Sequence, residues 1–228
     1  MKQLRLFTTR LLCLFVVTLL NSCTAFFLQE PHPRHLPPVP LIDSDTAKVI
    51  EYKTVIVSHQ LNVAWALDTK YSALVSANYN TYRGSSYGLD AALGRWWSNK
   101  GGRAEIYAGI STSLSNLEMG PVTEKYKVAG RFAQGCMALS SLVGKRLLFQ
   151  TGIVARANYD VLLDYSDIYK NKTPSKTATY STVVWFFKLQ GTHFGLQLEP
   201  GGTFSDSSSP LFNETAEYSM TLGCTIRF

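Results

Sequence analysis

Cysteine is scarce in this chain: four residues in 228, at positions 13, 23, 136 and 224. That number argues against a disulfide-built scaffold. No His or Cys pair stands at a metal-ligand spacing, so neither a metal nor any other cofactor is expected. A G-x-S-x-G nucleophile elbow is also missing. Charged residues make up only 17% of the chain, while apolar residues reach 46% and aromatics 12%, which excludes a disordered chain. Beyond residue 20 there is no long apolar run, and a mean hydropathy of about zero argues against a bundle of membrane helices. The size suits one β domain, and the formal charge of +6 invites a nucleic-acid reading until the N-terminus is taken into account.

Residues 1–22 read as a targeting segment. Lys2, Arg5 and Arg10 precede an apolar core from Leu11 to Leu20, too short for a comfortable spanning helix. Leu20-Asn21-Ser22-Cys23 then resembles the bacterial lipobox. The resemblance implies cleavage before Cys23, a diacylglycerol thioether on its sulfur and acylation (palmitate) of the new N-terminus. It also implies handling by the lipoprotein-sorting machinery. Removing residues 1–22 lowers the formal charge from +6 to +3, so no nucleic-acid partner is expected. Thr24 is not the acidic residue that would resemble an inner-membrane retention signal. Residues 23–45 contain Pro31, Pro33, Pro37, Pro38 and Pro40 and read as an extended tether.

From residue 46 to 228 the pattern changes to period two. In 146–160 Leu147, Phe149, Thr151, Ile153, Ala155, Ala157 and Tyr159 share one face, while Gln150, Arg156 and Asp160 share the other. In 103–114 Ile106 and Ile110 oppose Arg103 and Glu105; in the last strand Tyr218, Met220, Leu222, Cys224, Ile226 and Phe228 alternate with polar residues. The spacing predicts strands near 48–58, 60–67, 71–82, 87–98, 103–116, 124–142, 146–164, 180–190, 193–203 and 215–228. A tight turn at His59-Gln60 would separate the first two. Short turns at 68–70, 99–102, 143–145 and 190–192 alternate with longer polar links at 83–87, 116–123, 166–179 and 205–214.

Alternating short and long connections, strands long enough to cross a bilayer, aromatics near strand ends and a terminal Phe228 with Tyr218 in phase together resemble the small outer-membrane β-barrel proteins. In that family the C-terminal pattern of Tyr218 to Phe228 is an insertion signal for the barrel-assembly machinery. The expected fold is therefore all-β, one antiparallel up-and-down transmembrane barrel of about ten strands, or alternatively eight, in the outer membrane of a Gram-negative bacterium. A lipid-tethered, soluble lipocalin-like barrel with apolar faces inward is the competing architecture.

In a membrane barrel the polar face is the lumen. Asp90, Glu105, Arg131, Gln150, Arg156 and Glu199, with Lys188 and Gln197, are expected there as a pairing network that fills a narrow interior. Lys125 and Lys127 fall near an outer end, where lipids and lipopolysaccharide phosphates are the expected partners. Cys136 and Cys224 are expected as free thiols, and the sequons at Asn171 and Asn213 as unmodified loop positions. The function expected from these features is a non-enzymatic envelope-structural or partner-docking lipoprotein, with the loop bearing Lys170, Lys172 and Lys176 as its docking surface. A lipid-modifying barrel enzyme centred on His59, with Asp90 or Ser85 as neighbours, is the alternative; His32, His35 and His193 fall in the tether or at a short turn.

Overall fold

A computed structural model of the chain describes residues 37–55, 58–81, 84–99, 101–119, 122–143, 147–167, 177–205 and 216–228. Among them, ten strands run in chain order: β1 Lys48–Val55, β2 Ser58–Ala66, β3 Tyr71–Asn80, β4 Gly84–Ser98, β5 Gly102–Met119, β6 Val122–Val143, β7 Leu147–Asp167, β8 Thr177–Gln190, β9 Phe194–Ser205 and β10 Ala216–Arg227. Each pairs antiparallel with its sequence neighbours, and β1 pairs with β10, so the sheet closes into a barrel without edges. The seam runs from Val49 opposite Arg227 to Thr54 opposite Leu222, and the Phe228 amide donates to the Lys48 carbonyl at 3.1 Å. Closure is what a bilayer demands, because every backbone donor and acceptor must be satisfied inside the sheet.

The alternation in sequence becomes an inside-out protein. Leu93, Ile106, Ile110, Met137, Leu139, Trp185 and Leu196 are exposed on the outer wall, whereas Glu51, Lys53, Asp90, Glu105, Gln134, Arg156, Lys188 and Glu199 are buried in the lumen. A soluble lipocalin-like barrel needs the reverse, so that architecture is excluded. The chain is an all-β transmembrane-type barrel: its apolar exterior takes lipid as solvent, and its polar groups face one another.

Two ends are distinguished by their connections. At one, the turn end, β2–β3 and β4–β5 are closed by side-chain caps. Asp68 Oδ1 accepts from the amides of Lys70 and Tyr71 at 2.6 and 2.7 Å, and Asn99 Oδ1 accepts from Gly101 and Gly102 at 3.0 and 2.7 Å. The C-terminal Phe228 lies at this end. The other, the loop end, carries the links after β1, β3, β5, β7 and β9. Two of the long links expected from sequence are strand instead: β4 starts at Gly84, and β5 and β6 run to Met119 and from Val122. Polar residues there continue the ladder because each sits opposite a backbone partner, as in Ser115 opposite Tyr126 and Asn116 opposite Lys125. The turn expected at His59-Gln60 is also displaced: both residues lie in β2, opposite Thr54 and Lys53.

The largest departure concerns the Pro-rich segment. Residues 37–42 lie buried inside the barrel, with Val39, Leu41 and Ile42 at most 1% exposed. Ile42 packs with Ala47, Val49, Ala64, Leu74, Ala92, Trp96, Tyr107 and Phe132, an apolar layer at the turn-end side of the lumen. Val39 and Leu41 pack with Cys136, Ala138, Val154 and Phe186. A tether outside any core was expected over residues 23–45. Proline makes the segment extended and unable to form ladders, yet its Val, Leu and Ile side chains find apolar lumen to bury against. Cys23 and the rest of the tether, the sequons and the loop lysines 170, 172 and 176 fall outside the described residues.

Candidate functional site

β1 and β2 form a hairpin that places Thr54 directly opposite His59 and Tyr52 two pairs further from the loop end, opposite Leu61. Glu51 and Lys53 point into the lumen, so Tyr52, Thr54 and His59 share the outer wall. The Tyr52 hydroxyl lies 2.7 Å from His59 Nδ1 and Thr54 Oγ1 lies 3.3 Å from the same nitrogen. The two rings stack with centroids 6.1 Å apart and planes 15° from parallel. Next to them Tyr79, opposite His59 on β3, stacks on Tyr87 of β4 at 4.8 Å. A patch of three tyrosines and one histidine thus faces the lipid boundary at the loop end. Its rings are amphipathic, as an interfacial girdle requires.

Asp90, the acid expected beside His59, faces the opposite way. It is buried in the lumen, where Arg156 Nη1 donates to its Oδ2 at 2.6 Å. His59 therefore has hydroxyl partners rather than a carboxylate. With a hydroxyl donating to Nδ1, the neutral imidazole carries its proton on Nε2, and in that tautomer Nδ1 is the acceptor that can take the Thr54 hydroxyl proton. The spacing matches the reach of a nucleophile and its base in a site without substrate.

Inside the barrel the sequence-expected polar residues divide. Asp90, Glu105, Gln150, Arg156 and Glu199 are all at most 2% exposed and point into the lumen. Arg131 does not. Phe132, Gln134 and Cys136 take the inward phase of β6, so Arg131 is on the outer wall with its guanidinium 5.0 Å from the Tyr159 ring centroid. Phe132 occupies the lumen below Arg156, whose guanidinium carbon is 3.6 Å from its ring centroid. Lys53 Nζ lies 2.7 Å from Glu199 Oε2 and 3.6 Å from Glu51 Oε2, and Gln197 bridges to Glu199 at 2.9 Å. Lys53, Glu51, Glu199, Arg156, Asp90 and Glu105 thus each have a counter-charge or a backbone partner, the condition under which such groups are tolerated away from water.

Glu51, Lys53 and Gln134 were not among the expected luminal residues. The signal was present in β1, where Val49, Glu51 and Lys53 alternate with Ile50 and Tyr52, but the strand is short. Tyr52 and Thr54 escaped notice for the same reason. Cys136 is buried in the lumen and Cys224 is exposed on the outer wall; both are free thiols. Among the described residues no cluster of His, Cys, Asp and Glu is suited to a metal.

No family model and no curated protein matches this sequence. Two solved structures are similar in shape. One is LpxR from Salmonella typhimurium, with 8% identity over 80% of this chain and 99% of the other, at a TM-score of 0.39. The second is the outer membrane protease OmpT from Escherichia coli, with 11% identity over 81% and 94% of the two chains, at a TM-score of 0.40. The likeness concerns the fold alone. It nevertheless corrects the expectation of a non-enzymatic envelope-structural or docking role, and of no catalysis. That expectation treated a small outer-membrane barrel as a structural element by default, and the shape is shared with a protease.

Proposed function

We propose that this chain is a lipid-modifying outer-membrane barrel enzyme acting on acyl esters of lipids at the loop end, with His59 as general base. The observation that carries the reading is the convergence of the Tyr52 and Thr54 hydroxyls on His59 Nδ1 on the lipid-facing wall. A lipid reaches such a site sideways from the membrane, without passing through the lumen, which the chain itself fills. His59 Nδ1 takes the proton as Thr54 Oγ1, or a water in its place, attacks the ester carbonyl. The imidazolium returns that proton to the alcohol oxygen as the ester C–O bond breaks, and an acyl group left on Thr54 is then hydrolysed by water. The Tyr52 hydroxyl shares Nδ1, so it turns from donor to acceptor as the proton arrives, while its ring, stacked on the imidazole, holds the base in position. Tyr79 and Tyr87 supply flat amphipathic surface for the lipid headgroup region.

The loop end is then the cell-surface side, in keeping with short periplasmic turns in such barrels. The exposure of Lys125 and Lys127 on β6 supports their pairing with lipopolysaccharide phosphates. The lipobox-like Leu20-Asn21-Ser22-Cys23 supports an acyl anchor on Cys23 in addition to the barrel, and the Tyr218 to Phe228 pattern supports delivery through the barrel-assembly machinery. Incorporation of labelled palmitate into the full chain, absent from Cys23→Ser, is the expected sign of the anchor; equal labelling of both would remove it.

The catalytic reading is tested by mass spectrometry of outer-membrane lipids from cells making the full chain, its His59→Ala variant or none. A lipid species that appears with the wild type and disappears with His59→Ala is expected, with partial loss in Tyr52→Phe. Identical lipid profiles for the wild type and His59→Ala, both present as folded barrels, would overturn it.

A further inference from the structure

Residues 37–43 are held in the lumen in an unusual way. A β-strand is fixed by neighbouring backbone, but here the segment's backbone is bound by side chains from the barrel wall. Lys53 Nζ donates to the Pro37 carbonyl at 2.7 Å, Gln134 Nε2 to the Pro38 carbonyl at 2.9 Å, and Arg103 Nη1 to the Leu41 carbonyl at 3.3 Å. The Val39 amide donates to both carboxylate oxygens of Glu51, at 3.3 and 3.1 Å, and the Ile42 amide donates to Glu105 Oε1. These five wall residues come from β1, β5 and β6.

The side chains of the segment go into apolar recesses. Val39 and Leu41 enter the recess of Cys136, Ala138, Val154 and Phe186, and Ile42 enters the one floored by Leu74, Trp96 and Phe132. Leu41 takes a left-handed backbone, φ 54°, where the chain changes direction between the two recesses. The segment ends at Asp43, which accepts from Arg103 Nη2 at 2.9 Å and from Arg227 Nη2. Arg103 is on β5 and Arg227 on β10, five strands apart in either direction round the ring, so Asp43 ties opposite walls at the turn end.

Main-chain recognition by fixed charged and amide groups, apolar recesses for alternate side chains, and a clamped carboxylate are the features of a site that binds an extended peptide. Glu51, Lys53 and Glu105 are at most 1% exposed, so each has been desolvated to meet peptide groups. We infer that the turn-end half of the lumen is a peptide-binding site, and that residues 37–43 occupy it as an intramolecular ligand. Its ligand class is an extended oligopeptide with branched apolar side chains followed by an acidic residue. Most of the contacts are to backbone, so a peptide supplied in trans competes with the resident segment once that segment is weakened. This inference is independent of the chemistry at His59, which lies on the other side of the wall.

The test uses the full chain in detergent micelles with Ile42→Asp and Asp43→Ala, which place a carboxylate in the apolar recess and remove the clamp. A fluorescent synthetic peptide of the sequence Pro37–Asp45 is titrated and followed by anisotropy. Saturable binding to this variant is expected, at least tenfold tighter than to the wild type, whose site is filled. Adding Arg103→Ala to the variant should weaken binding at least tenfold. A heat-modifiable variant barrel that binds no peptide, or binds it no better than the wild type does, overturns the inference. Should the double variant fail to fold, Asp43→Ala alone, altering only a partly exposed rim group, carries the same two criteria.

Discussion

Arg156 of β7 and Asp90 of β4 meet across the lumen at 2.6 Å, and both side chains are fully buried. The Arg156 Nε also donates to Asn158 at 2.8 Å, so the guanidinium is shared between β4 and its own strand. Removing one member of a buried pair strands the other charge, which costs about 3–5 kcal/mol. Arg156→Ala and Asp90→Ala should each lower unfolding stability by that order. The double variant should lose clearly less than the two losses combined. Urea unfolding in lipid vesicles, read by tryptophan fluorescence, measures all three.

Gly94 of β4 sits opposite Tyr107 of β5, and the tyrosine ring lies across the glycine where a Cβ would stand. Tyr107 is fully buried and its hydroxyl accepts from Ser72 at 3.1 Å, so the ring has nowhere to move. Gly94→Val should destabilise the barrel by about 1–3 kcal/mol, the usual cost of overfilling a packed interior. Gly101, around which a Cβ meets nothing, should accept alanine with little change in the same measurement.

The alternation in β3, β5, β7 and β10 was legible in sequence because most outward positions are apolar and most inward ones polar, with Leu74, Tyr107 and Val154 as inward exceptions. Ile106, Ile110 and Leu114 opposing Glu105 is such a case. β6 was less legible. It carries Lys125, Lys127 and Arg131 on the wall and Phe132 in the lumen, so hydropathy does not mark its phase. The lumen segment was not legible at all. Five prolines read as a linker, and nothing local to residues 37–43 reveals that Lys53, Gln134, Glu51, Arg103 and Glu105 will meet their backbone from far along the chain. His59 was singled out from sequence, but its partners were misassigned. Strand phase separates it from Asp90, while the short β1 that brings Tyr52 and Thr54 to it is the weakest pattern in the barrel.

Ile110 lies mid-strand on β5 and is exposed on the outer wall. If that wall meets hydrocarbon, Ile110→Lys should destabilise the protein in vesicles by about 2–4 kcal/mol near the midplane of the bilayer, and by much less near a strand end. Leu139→Lys, close to the turn end, provides that comparison. Equal effects at both depths would count against a membrane-embedded wall.

Asp68 caps the β2–β3 turn, and the amides of Lys70 and Tyr71 pointing at its carboxylate hold its pKa below the ordinary value. A carboxylate with a depressed pKa in the folded state contributes stability that is present above its unfolded pKa and is lost as the pH falls through the folded one. The turn should therefore weaken only in acid, below the ordinary carboxylate range. Asp68→Asn should remove this component, so its stability near neutrality falls below that of the wild type and the difference between the two chains closes as the pH drops through the acid range. Thermal unfolding followed across pH compares the two chains.

The most direct test is the fate of the full chain when its proposed acylation site is removed. In Cys23→Ser, cell fractionation with carbonate extraction should leave the protein in the outer membrane. It should migrate faster unheated than heated on a gel, because the closed ten-stranded wall holds it there without acyl chains. Release of this variant into the aqueous fraction as a folded, soluble protein would contradict the lipid-facing barrel on which the assignment of His59 to membrane chemistry depends.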